Sequence, residues 1–232
     1  GAGFRKTHKI SEDAFVIGHV GRLAAEKNLS YLTQAVAGVT KNRPDTFFLV
    51  VGDGPSQEEI LKIFTTYHLE SNLIFTGSLE GQSLVDAYHA MDLFAFSSLS
   101  ETQGLVLTEA MAAGTPVIAL NGPGVREVMF HEKNGIMMHE KTDPEEFSKE
   151  IEKIVRQPEK LEKWQNGALE TADIFSRETS AVKLQRLYES MIQQHNQTLS
   201  VDSADRHQAL DAWDSILVSI ESEWNLMVEK TK

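Results

Sequence analysis

Short, uninterrupted apolar runs alternate along this chain with stretches in which apolar residues recur every three or four positions. The runs cover 15–20, 47–51, 73–76, 93–96, 116–120 and 135–138. Most are closed by glycines or serines: Gly21, the turn Gly52-Asp53-Gly54-Pro55, Gly77, Ser97-Ser98, and Asn121-Gly122-Pro123-Gly124. A run that is apolar at every position, rather than at every second one, fits a strand buried on both faces. The helical patterns between them include Leu29, Leu32 and Val36 behind the cap candidate Asn28, and Ile60, Leu61, Ile63 and Phe64 behind Ser56 and the acidic pair Glu58-Glu59. Leu84, Val85, Tyr88 and Met91 make a third, and Leu105, Leu107, Ala110 and Met111 a fourth. Strand and helix alternating at this spacing predict an α/β fold with a doubly wound parallel sheet. Its ligands are expected beyond the carboxyl ends of the strands, where the glycine-rich turns fall.

From about residue 143 the pattern is helical. Asp143-Pro144-Glu145-Glu146 combines a cap, a proline and an acidic first turn. Further helices are expected over 158–173 and 178–194, a polar linker over 193–203, and an amphipathic helix over 204–232. In that last helix Leu210, Trp213, Leu217, Ile220, Trp224 and Met227 form one stripe. The stripe either packs against the body of the protein or presents an oligomer or partner surface.

Composition narrows the function. The 232 residues carry 22 Lys and Arg against 34 Asp and Glu, a net charge of −12, which argues against nucleic acid as a partner. With no cysteine, thiolate nucleophiles and cysteine-held metals are excluded, and a reducing, cytoplasmic setting is expected. No apolar run approaches the ~20 residues that span a bilayer, and the N-terminus lacks a signal-peptide pattern. The chain opens Gly1-Ala2-Gly3 without a methionine, so a processed or cut chain is expected.

Two segments carry candidate chemistry. In 21–28, Arg22 and Lys27 sit on a loop that leads from the first strand into a helix N-terminus. They read either as a diphosphate site, with backbone amides and the helix dipole adding to both cations, or as solvated surface charges. Gly18-His19-Val20-Gly21 lacks the dinucleotide-binding glycine spacing, which counts against a nicotinamide dehydrogenase. In 101–109, Glu101 lies in the loop after the fourth strand and Glu109 about a turn and a half into the next helix. They read either as a pair that accepts sugar hydroxyls or as ordinary helix-entry acidity. His19 reads as a strand-end histidine rather than a base, and Glu127 as the cap of a short helix.

Taken together, Gly21-Arg22 with Lys27, Gly52-Asp53-Gly54-Pro55, Glu101 with Glu109, and Glu109-Ala110-Met111-Ala112-Ala113-Gly114-Thr115-Pro116-Val117 resemble the retaining glycosyltransferases of family 4, the group 1 enzymes with the GT-B fold. The motifs run in the family's order over roughly residues 5 to 192. The resemblance implies a Rossmann-like, nucleotide-sugar-binding domain over 1–192, the donor-binding half of a two-domain enzyme. It implies that Arg22 and Lys27 hold the donor diphosphate, Glu109 the ribose and Glu101 the transferred hexose. The amides of Gln103, Gly104 and Leu105 would contact sugar or phosphate, and backbone at Thr76 and Gly77 would face the base. No metal or cofactor is implied. UDP-sugar is the expected donor; GDP- and ADP-sugars stay open. Gln103 stands where the family often has phenylalanine, and Glu101-Thr102-Gln103-Gly104 is similar to the loop of bacterial members that glucosylate diacylglycerol, which implies a lipid acceptor.

The partner implied is an N-terminal acceptor domain that this chain lacks, and any membrane surface would be met through that domain. The expected function is therefore the donor half of a hexosyltransferase, inactive alone. The alternative is a non-catalytic nucleotide-sugar-binding module or subunit. The oligomer reading of 204–232 predicts that deleting 203–232 lowers the mass seen by size-exclusion chromatography with light scattering to that of a monomer. An unchanged oligomeric state rules that reading out.

Overall fold

A parallel strand cannot be joined to its neighbour by a tight turn, so each connection must cross a face of the sheet. The computed structural model, which describes residues 1–199, 213–214 and 216–218, has this architecture. Its strands are β1 (Phe15–Val20), β2 (Thr46–Val51), β3 (Leu73–Phe75), β4 (Leu93–Phe96), β5 (Val117–Leu120) and β6 (Gly135–Met138). They form one sheet in the order β3-β2-β1-β4-β5-β6, with every neighbouring pair parallel. The helices are α1 (Ala2–Thr7), α2 (Leu29–Asn42), α3 (Gln57–Thr66), α4 (Gly81–Ala90), α5 (Leu105–Ala112), α6 (Pro123–Val128), α7 (Pro144–Val155), α8 (Pro158–Ile174) and α9 (Arg177–Leu199).

The continuously apolar strands are explained by the two hydrophobic layers they feed. Val16, Leu49, Val51, Phe94, Phe96, Val117 and Ala119 pack with Tyr88 of α4, with Leu107, Ala110 and Met111 of α5, and with Ala168 of α8. The intervening positions Ile17, Phe48, Val50, Leu93, Ala95, Ile118 and Leu120 pack with Leu32 and Val36 of α2, Phe64 of α3, Phe147 and Ile151 of α7, and Trp164 of α8. With a side-chain period of two, both sets must be apolar. All six strands point the same way, so their carboxyl ends share one edge. The strand order reverses between β1 and β4, whose connections leave to opposite sides and open a crevice there.

Several local expectations are refined. Asp143 caps α7, its Oδ1 accepting the Glu146 amide at 2.8 Å. Asn28 and Ser56 hold the N-cap positions of α2 and α3, but neither side chain caps its helix. Glu127 lies in the last turn of α6 rather than at its cap. The first helix, α1, has no counterpart in the hydrophobic pattern. Arg5 fastens it, donating to the Ala90 carbonyl at 2.9 Å and to Asp92 at 2.7 Å, while Asp92 also accepts the Val16 amide at 2.7 Å. The helix expected to stop near 194 continues to Leu199, through the first part of the segment expected as linker. Contacts divide the chain into one unit, Gly1–Ser176, and a second that begins at Arg177. Within 204–232, residues 213–214 and 216–218 are helical, and Leu210, Ile220, Trp224 and Met227 lie outside the described residues.

His19, at the end of β1, is fully buried, its ring stacked on those of Phe94 and Phe96 at 6.2 and 6.3 Å. Nδ1 meets the Ala95 carbonyl at 3.3 Å and must donate to it, so Nε2 carries the lone pair and has no partner among the described residues. Burial holds its pKa down at about 4, well under the ordinary 6.5. Between these values the unfolded chain binds the proton and the folded one does not, so stability falls as pH drops through that window. Denaturant titrations from pH 7 to 4 are expected to show the parent losing up to about 3 kcal/mol more than His19→Gln. Parallel curves would show that His19 is not held neutral by the fold.

Candidate functional site

The loops after β1 and β4 meet at the strand-order reversal, and the sequence makes that meeting close. Ser97 Oγ donates to the Lys27 and Asn28 carbonyls, both at 3.0 Å, and Ser98 Oγ to the Glu26 carbonyl at 3.1 Å. Asn28, in the left-handed conformation at φ 54°, turns its amide to the Ser97 carbonyl at 3.4 Å. Side-chain hydroxyls thus reach the carbonyls of the loop that leads into α2 from across the junction. Backbone bonds tie the β1 loop to the β2 loop, Leu23 N donating to the Asp53 carbonyl at 2.9 Å, and the β2 loop to the β3 loop, Gly52 N donating to the Gly77 carbonyl at 2.9 Å. Gly52 is obligatory, because at φ 130° a Cβ there would lie 2.0 Å from the Gly21 carbonyl oxygen.

Lys27 and Glu101 form an ion pair across this junction, Nζ to Oε2 at 3.1 Å, with side chains only 22% and 16% exposed. The other carboxylate oxygen, Oε1, accepts the amides of Gln103 at 3.3 Å and Gly104 at 3.2 Å. Burial alone would raise the Glu101 carboxyl; Lys27 and the two amides outweigh it and hold the group below its ordinary 4.5. Gly104 begins α5 at φ 67°, and a Cβ there would meet the Gly124 carbonyl oxygen at 2.7 Å. Gly124 N in turn donates to the Glu101 carbonyl at 2.8 Å, which seats the 101–104 loop on the start of α6.

The remaining expected residues are placed as follows. Arg22 is 72% exposed and pairs with the exposed Glu26, an interaction that contributes little and that an incoming anion would displace easily. Arg22 lines a cleft of about 290 Å³ together with Val20, Gly21, Val51, Gly52, Asp53, Ser78 and Leu79. Its far wall is thus Ser78 and Leu79, the residues that follow Thr76 and Gly77. The Gly77 carbonyl is already taken by Gly52 N and by Thr76 Oγ1 at 2.9 Å. Asp53 accepts the Ser78 amide at 2.7 Å, and the bonds from Ser78 lower its pKa. Gln103 and Leu105 are exposed at the mouth of α5, Leu105 by 58%. Glu109 is exposed, and its Oε2 accepts a hydrogen bond from the buried Tyr88 hydroxyl at 2.7 Å. Sequence reasoning found the charged residues but not the groups that hold them: Tyr88 read only as a helix position, and Ser97 and Ser98 only as the end of a strand. Among the described residues no group of three His, Asp or Glu is arranged to hold a metal, and no helix is long and apolar enough to cross a membrane.

This edge joins loop cations to loop carboxylates at a switch point, an arrangement suited to an anionic ligand that carries hydroxyls. The chain belongs to the group 1 glycosyl transferases, whose family pattern it matches over residues 3–171. It is 38% identical over 117 residues to the sulfoquinovosyl transferase SQD2 of Arabidopsis thaliana, a match spanning 50% of this chain and 21% of that protein. It is 28% identical over 191 residues to an alpha-monoglucosyldiacylglycerol synthase of Acholeplasma laidlawii, spanning 82% of this chain and 47% of that one. Among solved structures, HepE of Anabaena in complex with UDP superposes with a TM-score of 0.71 at 25% identity, over 83% of this chain and 52% of HepE. The chain therefore spans about half the length of these relatives or less.

The Lys27–Glu101 pair yields a pH signature. A carboxyl held below its ordinary value contributes stability that is present above about pH 4.5 and lost as pH falls through the folded-state value. Glu101→Gln is expected to be less stable than the parent by about 1 kcal/mol at pH 7, with the gap closing as the pH falls beneath the ordinary carboxyl range. Thermal melts across that range check it; a gap independent of pH would show that the ion pair adds nothing.

Proposed function

We propose that this chain is the donor-binding half of a hexosyltransferase that uses a nucleotide-diphosphate sugar, with UDP-sugar as the donor. The observation that carries the reading is the meeting, at the β1/β4 switch point, of Lys27 with Glu101 and the Gln103 and Gly104 amides, while Arg22 of the same loop as Lys27 lines the cleft toward the β2 and β3 loops. Two cations beside a helix N-terminus suit a diphosphate. Carboxylates at Glu101 and Glu109 suit the hydroxyls of hexose and ribose. The 290 Å³ cleft beside Arg22 has room for a base against Leu79 and the Gly52 turn. UDP in the related HepE structure supports the choice of nucleotide. As the bond from sugar to diphosphate breaks, negative charge grows on the leaving diphosphate. Arg22 and Lys27 then bind it more tightly than in the ground state, which is how such a site lowers the barrier. Retention of configuration is part of this reading through the resemblance to the retaining family. The acceptor is a lipid or saccharide, held with its proton-accepting group by a further domain.

Isothermal titration of the purified chain with UDP, UDP-glucose, GDP-mannose and ADP-glucose tests the reading. Binding of UDP and UDP-glucose is expected, with Arg22→Ala and Glu109→Ala each weakening it at least tenfold, about 1.4 kcal/mol. Parent-like affinity in both variants would show that the ligand lies elsewhere. Sugar transfer by the chain alone would overturn the division of labour.

A further inference from the structure

Glu109 stands out among the candidate residues because it is solvent-exposed yet attached to a buried group. Tyr88, near the end of α4, is only 3% exposed, and its hydroxyl donates to Glu109 Oε2 at 2.7 Å. The other carboxylate oxygen, Oε1, has no partner among the described residues. Tyr88 is itself fixed from two further directions. Its ring lies against that of Phe94, centroid to centroid 6.0 Å, and its backbone carbonyl accepts the Thr115 hydroxyl at 3.0 Å. Thr115 follows the turn that ends α5. The same buried tyrosine is thus tied to the far end of α5 through its backbone and to Glu109 in the middle of α5 through its hydroxyl. Burial first, and then the Glu109 bond, push its pKa far above the usual tyrosine range, so it remains a donor throughout the working pH range.

An exposed glutamate otherwise samples many rotamers, and fixing it on binding costs a ligand affinity. We infer that Tyr88 is a positioning residue: it holds the Glu109 carboxylate in advance, leaving Oε1 free for the ribose hydroxyls of the donor nucleotide. This rests on the nucleotide-sugar reading and extends it to a residue outside the charged motif. A carboxylate anchored by one oxygen on a rigid donor presents the other at a fixed place, the arrangement by which supporting groups sharpen a binding site. Were Tyr88 only a staple between α4 and α5, removing its hydroxyl would lower stability without altering which nucleotide the folded chain prefers.

Tyr88→Phe keeps the ring and its packing on Phe94 and deletes only the hydroxyl. Calorimetric affinities for UDP and for 2′,3′-dideoxy-UDP are compared in the parent, Tyr88→Phe, Glu109→Ala and the double variant, at a temperature where melts show all four folded. The parent is expected to favour UDP. Tyr88→Phe is expected to lose five- to tenfold on UDP and less than twofold on the dideoxy compound. In the Glu109→Ala background the same substitution is expected to change UDP binding by less than twofold. Parent-like UDP affinity in Tyr88→Phe, equal losses on both nucleotides, or an undiminished effect without Glu109 would each overturn the inference while leaving the nucleotide reading intact. A parent chain that does not bind UDP, or binds both nucleotides equally, would overturn the ribose role of Glu109 and this inference with it.

Discussion

Parallel pairing is the constraint on which the rest of this molecule depends. Because no parallel strand can turn directly into its neighbour, every connection carries a helix across one face, and both faces of the sheet become interior. That requires strands apolar at every position, as in 93–96 and 117–120, and it sends all the strand ends that carry loops to one edge. The order β3-β2-β1-β4-β5-β6 then sets where on that edge a ligand fits, since only between β1 and β4 do successive connections diverge. The site proposed for the chain follows from this geometry.

Within the crevice, polar side chains do what secondary structure cannot. Ser97, Ser98 and Asn28 bond backbone carbonyls across the junction between the segments that carry Lys27 and Glu101. The result is a stiff frame in which a cation and a carboxylate sit 3.1 Å apart. The two cations are held differently. Arg22 rests on an exposed partner in water, where the pairing has little strength, whereas Lys27 is enclosed with Glu101. An entering diphosphate would recruit Arg22 freely but would compete with Glu101 for Lys27 and for the Gln103 and Gly104 amides. Glu101 therefore shares donors with the ligand it is proposed to help bind. Its freedom to turn toward a sugar hydroxyl depends on the phosphate taking its place.

Much of the fold was legible because the signals are local. The runs at 15–20 and 135–138 became β1 and β6 with the same bounds, and the Asp143-Pro144 signature started α7 where expected. The candidate residues Arg22, Lys27, Glu101, Gln103, Gly104, Leu105 and Glu109 fall on loop ends and the first turns of α5, as the alternation of strand and helix requires. Other features were not legible. Nothing in the pattern marks α1, which is held by Arg5 reaching Ala90 and Asp92, more than eighty positions away. The bond from Gly52 N to the Gly77 carbonyl joins two loops and leaves no mark in either stretch of sequence. The polar composition of 193–199 read as linker, yet those residues continue α9.

The sequence by itself determined the type of fold and the kinds of chemical group at the carboxyl edge of its sheet, because hydrophobic period and turn residues act over a few neighbouring positions. Only the tertiary structure decided how those groups are held. It closed Lys27 onto Glu101, stitched Ser97 and Ser98 to the β1 loop, and set the hydroxyl of a core tyrosine against Glu109. Each of these joins residues from separate elements, and the strand order that brings them together is a property of the whole sheet. A residue such as Tyr88 looks like core in the sequence, and its hydroxyl finds Glu109 only because α4 and α5 cover the same face of the sheet.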